Sequence, residues 1–383
     1  MSAVKDGGYP VPGFWEQVST RVAFFIAGFG TSAWAPLVPY AKARLGVEEN
    51  TLGLLLLCLG FGSILAMPLS GALAARYGCR LVISVASLIL CVVLPLLAVV
   101  NTVSALALSL VVFGACVGTV DVTVNIQAVI VDKASPKSMM SGFHGLYSVG
   151  GIAGSGGVSL LLSAHVPPVI ATLGVSAIVL AMLAGFGKHL LPYGSESDAP
   201  LFVWPRGIVL FIGLLCFICF MAEGSMLDWS AVFLTSLRGM EEARAGIGYV
   251  VFAAAMTVGR LTGDYIVRVL GGQKILLFGG LCAASGLVVA VFVPHWLAAL
   301  VGFGMVGIGA SNIVPVLYTA IGRQKIMPPN LAVAAVTMIG YSGILSGPAL
   351  IGFVAHAINL PVAMLGVAGL LLIIVASARI AEH

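Results

Sequence analysis

Charged side chains are what this sequence has least of. Asp, Glu, Lys and Arg make up 8% of its 383 residues, where a soluble domain carries about 25%. That scarcity excludes water as the solvent for most of the surface. The short alternating segments of an outer-membrane barrel are missing too. Zinc-spaced cysteine pairs, a P-loop and a G-x-G-x-x-G in a strand-to-helix context are absent, which removes the usual metal and nucleotide sites. Cys216 and Cys219 form a CFIC sequence inside an apolar stretch and are expected to pack rather than to act as a redox pair. No nucleophile, metal cluster or pair of carboxylates stands out, so neither an enzyme, a metal site nor a cofactor is expected. The net charge of +4 follows from membrane topology and does not point to nucleic acid. The opening MSAVKDGGYPVPGFW lacks a basic region followed by a cleavage site and reads as a short cytoplasmic tail rather than a signal peptide.

What fills the chain is apolar. Hydrophobic residues make up 60% and the mean hydropathy is +1.13. Runs of helical length recur near residues 18–39, 51–74, 81–100, 104–131, 139–163, 167–187, 207–234, 245–267, 275–293, 297–321, 331–356 and 360–380. At 1.5 Å rise per residue each can cross about 30 Å of hydrocarbon. Of the 18 basic residues only Lys42, Arg44, Arg238 and Arg244 fall on the side of the first and seventh loops, leaving 14 on the other. The positive-inside rule then places both termini in the cytoplasm. The expected fold is an all-α polytopic membrane protein with twelve transmembrane helices in two six-helix halves. Residues 1–17 form a tail, 18–190 the first bundle, 191–205 a cytoplasmic linker and 206–383 the second bundle with a short tail. Paired halves suit a carrier, because a solute bound between them can be exposed to each side in turn.

Internal repetition is faint. Gly118-x-x-Asp121 is echoed by Gly309-x-x-Asn312, and Gly150-x-x-x-Gly154 by Gly343-x-x-x-Gly347. Small residues four apart on one helix face permit close helix contact. Two loops also correspond: GALAARYGCR at 71–80 and GRLTGDYIVRVLGG at 259–272. They resemble the cytoplasmic loop motif of the major facilitator superfamily, in which a glycine is followed by Asp, Arg and a second glycine. Gly71, Arg76, Gly78 and Arg80 fit, with Ala75 where the motif has Asp; in the second copy Gly263 and Arg268 fit, Val267 takes the acidic position and Gly271 is shifted by one. The resemblance implies that this loop fastens one conformation, with Arg76, Arg80 and Arg268 either taking part or snorkelling at the interface. Arg260 and Asp264, four apart, are expected to supply a substitute ion pair.

A line of polar residues crosses the spans. Asp121 lies about 15 Å from the cytoplasmic end of its span, with Asn125 one turn nearer on the same face. His144 and Tyr147 in HGLYSVGG belong to the next span, His144 at a depth similar to Asn125. A carboxylate and an imidazole there are candidates for proton exchange, since the reference pKa values are about 4 and 6.5. In MAEGSMLDWS, residues 221–230, Glu223 is the second buried acid and Asp228 a candidate gating residue. Asn312, Tyr318 and Tyr341 offer amide and hydroxyl groups either to a solute or to neighbouring helices. Pro315 is expected to interrupt its helix near Asn312 and to open backbone groups.

Asp121-Val-Thr-Val-Asn125 resembles the acid-to-asparagine pattern of fucose-type sugar:proton symporters, although the first span has no acid. GACVGTVDVTVN with FHGLYSVGG resembles the MosC-like subgroup, which is associated with rhizopine-type compounds or has no assigned solute. The glycine-proline step of many drug:proton antiporters is absent from GGIAGSGG, residues 150–157. Together these resemblances imply a monomeric, lipid-embedded carrier of the bacterial inner membrane. It would move a small polar organic solute such as a sugar or polyol, with the proton as coupling ion. Proton-driven efflux of amphipathic compounds and a non-transporting sensor or assembly protein are the alternatives.

Overall fold

A computed structural model describes residues 11–47, 49–194, 204–241 and 245–382. Arg244 and most of the tail and linker positions named above lie outside the described residues. Thirteen α-helices account for nearly all of the rest: α1 (Phe14–Ser32), α2 (Val38–Leu45), α3 (Glu49–Leu97), α4 (Val103–Ala134), α5 (Met140–Ser163), α6 (Pro168–Phe186), α7 (Ile208–Arg238), α8 (Ile247–Leu270), α9 (Gly272–Phe292), α10 (Trp296–Ala310), α11 (Ile313–Arg323), α12 (Pro329–Ala357) and α13 (Leu360–Ala376). Among the described residues, ten helical segments are long and apolar enough to cross a membrane, and α13 is a shorter apolar helix. The chain is therefore an all-α, multi-pass membrane protein. Many large apolar side chains are exposed, Leu160 at 72% and Phe353 at 73% among them, as a surface facing lipid requires.

Two compact units form. The first comprises Met1–Pro136, Leu146–Trp204 and Pro328–Ala334; the second comprises Lys137–Gly145, Pro205–Met327 and Ala335–His383. The first turn of α5 thus belongs to the second unit, and the first turn of α12 to the first.

The hydropathy runs at 51–74 and 81–100 fall on either side of Gly78, where α3 breaks out of helical geometry (φ 80°, ψ 156°) and two helices meet. A side chain there would meet the Pro192 carbonyl. The loop is further held by Arg80, whose N–H donates to the Leu191 carbonyl at 2.7 Å and whose Nε donates to that of Leu190 at 2.9 Å. In the second unit Gly271 repeats the conformation of Gly78, φ 80° and ψ 156°. Gly271, rather than Gly263, therefore sets the register of the second loop copy, and Asp264 stands where Gly71 stands in the first.

Close helix approach follows the glycine echoes. A Cβ on Gly150 would overlap the Phe25 carbonyl of α1, and one on Gly343 would overlap the Phe217 carbonyl of α7. Chain ends are repeated too. Arg44 donates from Nε, Nη1 and Nη2 to the carbonyls of Val100, Ala98 and Leu97 at 3.0, 2.5 and 2.8 Å. Arg238 donates from Nη2 to those of Ala290 and Val291 at 2.6 and 2.9 Å. A guanidinium on the last carbonyls of a helix satisfies orphan acceptors and complements the helix dipole. Two of the four basic residues on the minority side of the charge count are thus helix caps.

Candidate functional site

The second unit builds its polar centre from three helices. Glu223 is the middle residue of α7, with 15 residues on either side. Arg260 lies at the middle of α8, and its Nη2 donates to Glu223 Oε1 at 3.0 Å, with the two side chains 8% and 13% exposed. A charge at that depth is costly unless paired. The third contributor is the gap between α10 and α11, where Asn312 leaves helical geometry with φ −110° and ψ 1°.

Pro315 explains that gap. In a continuous helix the N–H of residue 315 would bond the carbonyl of Ser311, and proline has none. The freed Ser311 carbonyl accepts from Arg260 Nε at 3.3 Å. Asn312 Nδ2 donates to the Gly259 carbonyl and to Ser311 Oγ, both at 2.9 Å. The break expected from sequence is present, and its backbone acceptor holds the arginine.

Arg260 and Asp264 were expected to pair with each other, and each also meets a group distant in sequence. Arg260 is engaged with Glu223, while Asp264 Oδ1 accepts the Gly142 N–H at 3.0 Å. An acid at this position caps the first turn of α5, as a carboxylate does at a helix N-terminus.

His144, on the same turn of α5, also lies in the second unit rather than with Asn125. Its ring is 5.7 Å from that of Tyr318. The Tyr318 hydroxyl and Thr337 Oγ1 are 2.6 Å apart, and both residues are about 1% exposed. This is a buried link between α11 and α12. Tyr341 is half-buried on α12, Asp228 is exposed on α7, and Arg268 is exposed beside the Tyr265 ring.

In the first unit Asp121 stands alone. It is the nineteenth residue of the 32 in α4 and about 20 Å from that helix's C-terminal end. Its carboxylate is half-buried and has no hydrogen-bond or ion-pair partner among the described residues. Asn125, one turn on, is 2% exposed and turns its Nδ2 back to the Asp121 carbonyl at 2.9 Å. Tyr147 is half-buried on α5, and Arg76 is exposed beside the Tyr77 ring.

Sequence reading passed over Gln127, six residues beyond Asp121. It is fully buried, donates to Thr20 Oγ1 at 2.9 Å and accepts the Leu191 N–H at 3.1 Å. The available signal was an amide in an apolar run. Ser311 and Thr337 were passed over too, because small hydroxyl residues are common in membrane helices and signal little by themselves.

A groove of about 440 Å³ between α3 and α4, lined by Leu73, Tyr77, Val85, Ile89, Val111 and Thr119 among others, contains none of the candidate site residues. Cys216 and Cys219 are free and buried. Among the described residues no group of three or more His, Cys, Asp or Glu is placed to hold a metal ion.

Residues 22–325 match the Major Facilitator Superfamily. The chain belongs to this superfamily. Membership makes it a secondary transporter rather than an enzyme. An uncharacterized transporter of this superfamily from Yersinia pestis is 58% identical over 369 residues, covering 96% of each chain. The membrane protein MosC of Rhizobium meliloti is 28% identical over 356 residues, which is 90% of this chain and 86% of that one. Among solved structures, the Escherichia coli fucose:proton symporter superposes with a TM-score of 0.80 at 17% identity, over 96% of this chain and 98% of that one. At that identity the likeness is one of fold.

Proposed function

We propose that this superfamily member is a proton-coupled carrier for a small polar organic solute of the sugar, polyol or related class, working by alternating access. The observation that carries the reading is Asp121, a half-buried acid at the middle of a membrane helix whose carboxylate has no partner among the described residues. Keeping an acid there costs at least about 2.5 kcal/mol on insertion scales. Packing gives no return for that cost, since Asp121 holds no partner among the described residues. A site that takes and releases a proton needs a carboxylate that is reachable and not neutralised by a fixed cation. Glu223 is the second coupling acid, held by Arg260 until it is protonated.

Half-buried Tyr147 and Tyr341 are assigned to the solute. Asn125, Asn312, Tyr318 and His144 position the helices around it. Arg76, Arg80, Asp228, Asp264 and Arg268 belong to the ends that move. The fold shared with the fucose:proton symporter supports a polar solute, because that architecture accommodates proton-linked sugar movement in the fold neighbour.

The 44-residue run Leu54–Leu97, divided at Gly78, contributes two crossings. With α13 the total becomes twelve, in two six-helix halves joined near residues 191–205, and the basic residues orient both termini to the cytoplasm of a bacterial cell. The protein works as a monomer in lipid.

The deciding experiment is uptake in proteoliposomes under an imposed proton gradient, with a panel of sugars and polyols and a trapped pH-sensitive dye. Solute entry should acidify the lumen, and Asp121→Asn should abolish that signal. Unchanged coupling in the Asp121→Asn/Glu223→Gln double variant would overturn the assignment.

A further inference from the structure

None of the residues assigned to the solute, the proton or the moving ends lines the groove between α3 and α4. Tyr77 stands on its wall just before the break at Gly78, Val85 and Ile89 follow after it, and Val111 and Thr119 face them from α4. Tyr77, Val85 and Ile89 are exposed, so the groove opens on the apolar surface that meets lipid. Leu81, Val85 and Ile89, four apart on one face of α3, carry the wall for about 12 Å. An apolar slot of that length suits an extended acyl chain. To a polar solute it offers little beyond the hydroxyls of Tyr77 and Thr119.

The Tyr77 end of the slot is charged. Arg76 is exposed, its guanidinium lies 5.4 Å from the centre of the Tyr77 ring, and among the described residues it makes no hydrogen bond or ion pair. The acid that the loop motif would place beside it is missing, since position 75 is alanine. Arg80 differs, because its Nε donates to the Leu190 carbonyl. Beside an apolar slot, then, stands a cation without a counter-charge from the described protein. The loop it belongs to is on the side where basic residues gather, and there the membrane surface supplies anionic phosphates. The planar fork of an arginine takes two phosphate oxygens at once.

We propose that the groove between α3 and α4 binds one anionic phospholipid, with an acyl chain in the slot and the headgroup phosphate on Arg76. Tyr77 joins the two parts, since its side chain lines the slot and its ring carries the guanidinium. A second arginine is stacked alike, Arg268 at 5.4 Å from the Tyr265 ring, but neither of those residues lines this groove. It provides a control of equal charge.

The test uses the full-length protein in detergent, titrated with dioleoyl phosphatidylglycerol or dioleoyl phosphatidylcholine, with bound lipid counted by native mass spectrometry. Wild type should retain one phosphatidylglycerol in preference to phosphatidylcholine, a comparison that needs no variant to fold. Arg76→Gln should weaken that binding about fivefold, the worth of one interfacial arginine at an anionic membrane surface. Arg268→Gln removes the same charge and should leave it unchanged. Val85→Trp fills the slot from a lipid-facing position and should weaken it with Arg76 intact. Equal retention of the two lipids by wild type would mean ordinary boundary lipid, and equal losses in the two arginine variants would mean general surface charge. Displacement by excess glycerol 3-phosphate, or unchanged binding in Val85→Trp, would mean a headgroup site with no use for the groove. Any of these four results overturns the proposal, and each leaves the Asp121 flux experiment to stand or fall separately.

Discussion

Arg260 Nε and the Ser311 carbonyl oxygen lie 3.3 Å apart because Pro315, one turn further on, has no N–H to offer that oxygen. A proline on one helix thereby determines where an arginine on another is held. Replacing it with alanine supplies the missing donor and favours a continuous helix across Ser311 and Asn312. Pro315→Ala should be at least as heat-stable as wild type, yet transport about tenfold more slowly, the equivalent of about 1.4 kcal/mol. Parallel unfolding curves and initial uptake rates check both halves of the prediction.

The Glu223–Arg260 pair should behave as a unit. Removing one partner of a buried ion pair costs about 3–5 kcal/mol, whereas replacing both often costs little. Arg260→Leu and Glu223→Gln are each expected to destabilise the protein, and the double variant to recover most of the loss. A double-mutant cycle on unfolding free energies in mixed micelles measures the coupling. Additive losses would show that the two side chains act independently.

Asp121→Asn keeps the size of the side chain and removes its ability to carry a proton. Accumulation against a gradient should vanish, while exchange of labelled for unlabelled solute across the membrane persists. Counterflow in proteoliposomes without a proton gradient separates these two quantities.

Asp264 holds the Gly142 N–H at 3.0 Å, so Asp264→Ala should loosen the first turn of α5 with the loss of about 1 kcal/mol of capping. Amide exchange in a peptide spanning 140–145 should quicken about fivefold, with exchange elsewhere in α5 unchanged. Hydrogen-exchange mass spectrometry reads this directly.

Gly150→Ala is expected to prevent stable folding, because its Cβ would overlap the Phe25 carbonyl, and Gly343→Ala likewise against Phe217. Gly156→Ala, six residues along the same helix, meets nothing within 4 Å and should be neutral. Yields of monodisperse protein distinguish the pair.

Much of this was legible from residue pattern. Membrane residence, the apolar spans, the acids at Asp121 and Glu223 and the break near Pro315 are each local consequences of composition, helix rise or a missing N–H. The partners of those groups were not legible. The i,i+4 rule paired Arg260 with Asp264, but not Arg260 with Glu223, 37 positions earlier, or Asp264 with Gly142, 122 positions earlier. Tyr318, a candidate solute ligand by residue type, is buried at 1% exposure with its hydroxyl beside Thr337 Oγ1, whereas Asn125, at 2% exposure, turns its Nδ2 to the Asp121 carbonyl and leaves its buried Oδ1 without a hydrogen-bond partner among the described residues.

By itself, then, the sequence determined the solvent this chain folds in and which residues would be expensive to keep there, since transfer free energies and helix geometry act residue by residue. Which of those residues became neutralised, which became helix links and which, like Asp121, stayed open was decided only by tertiary packing. Compensation of a buried charge depends on what a neighbouring helix happens to present within hydrogen-bond reach, and no spacing along the chain encodes that distance.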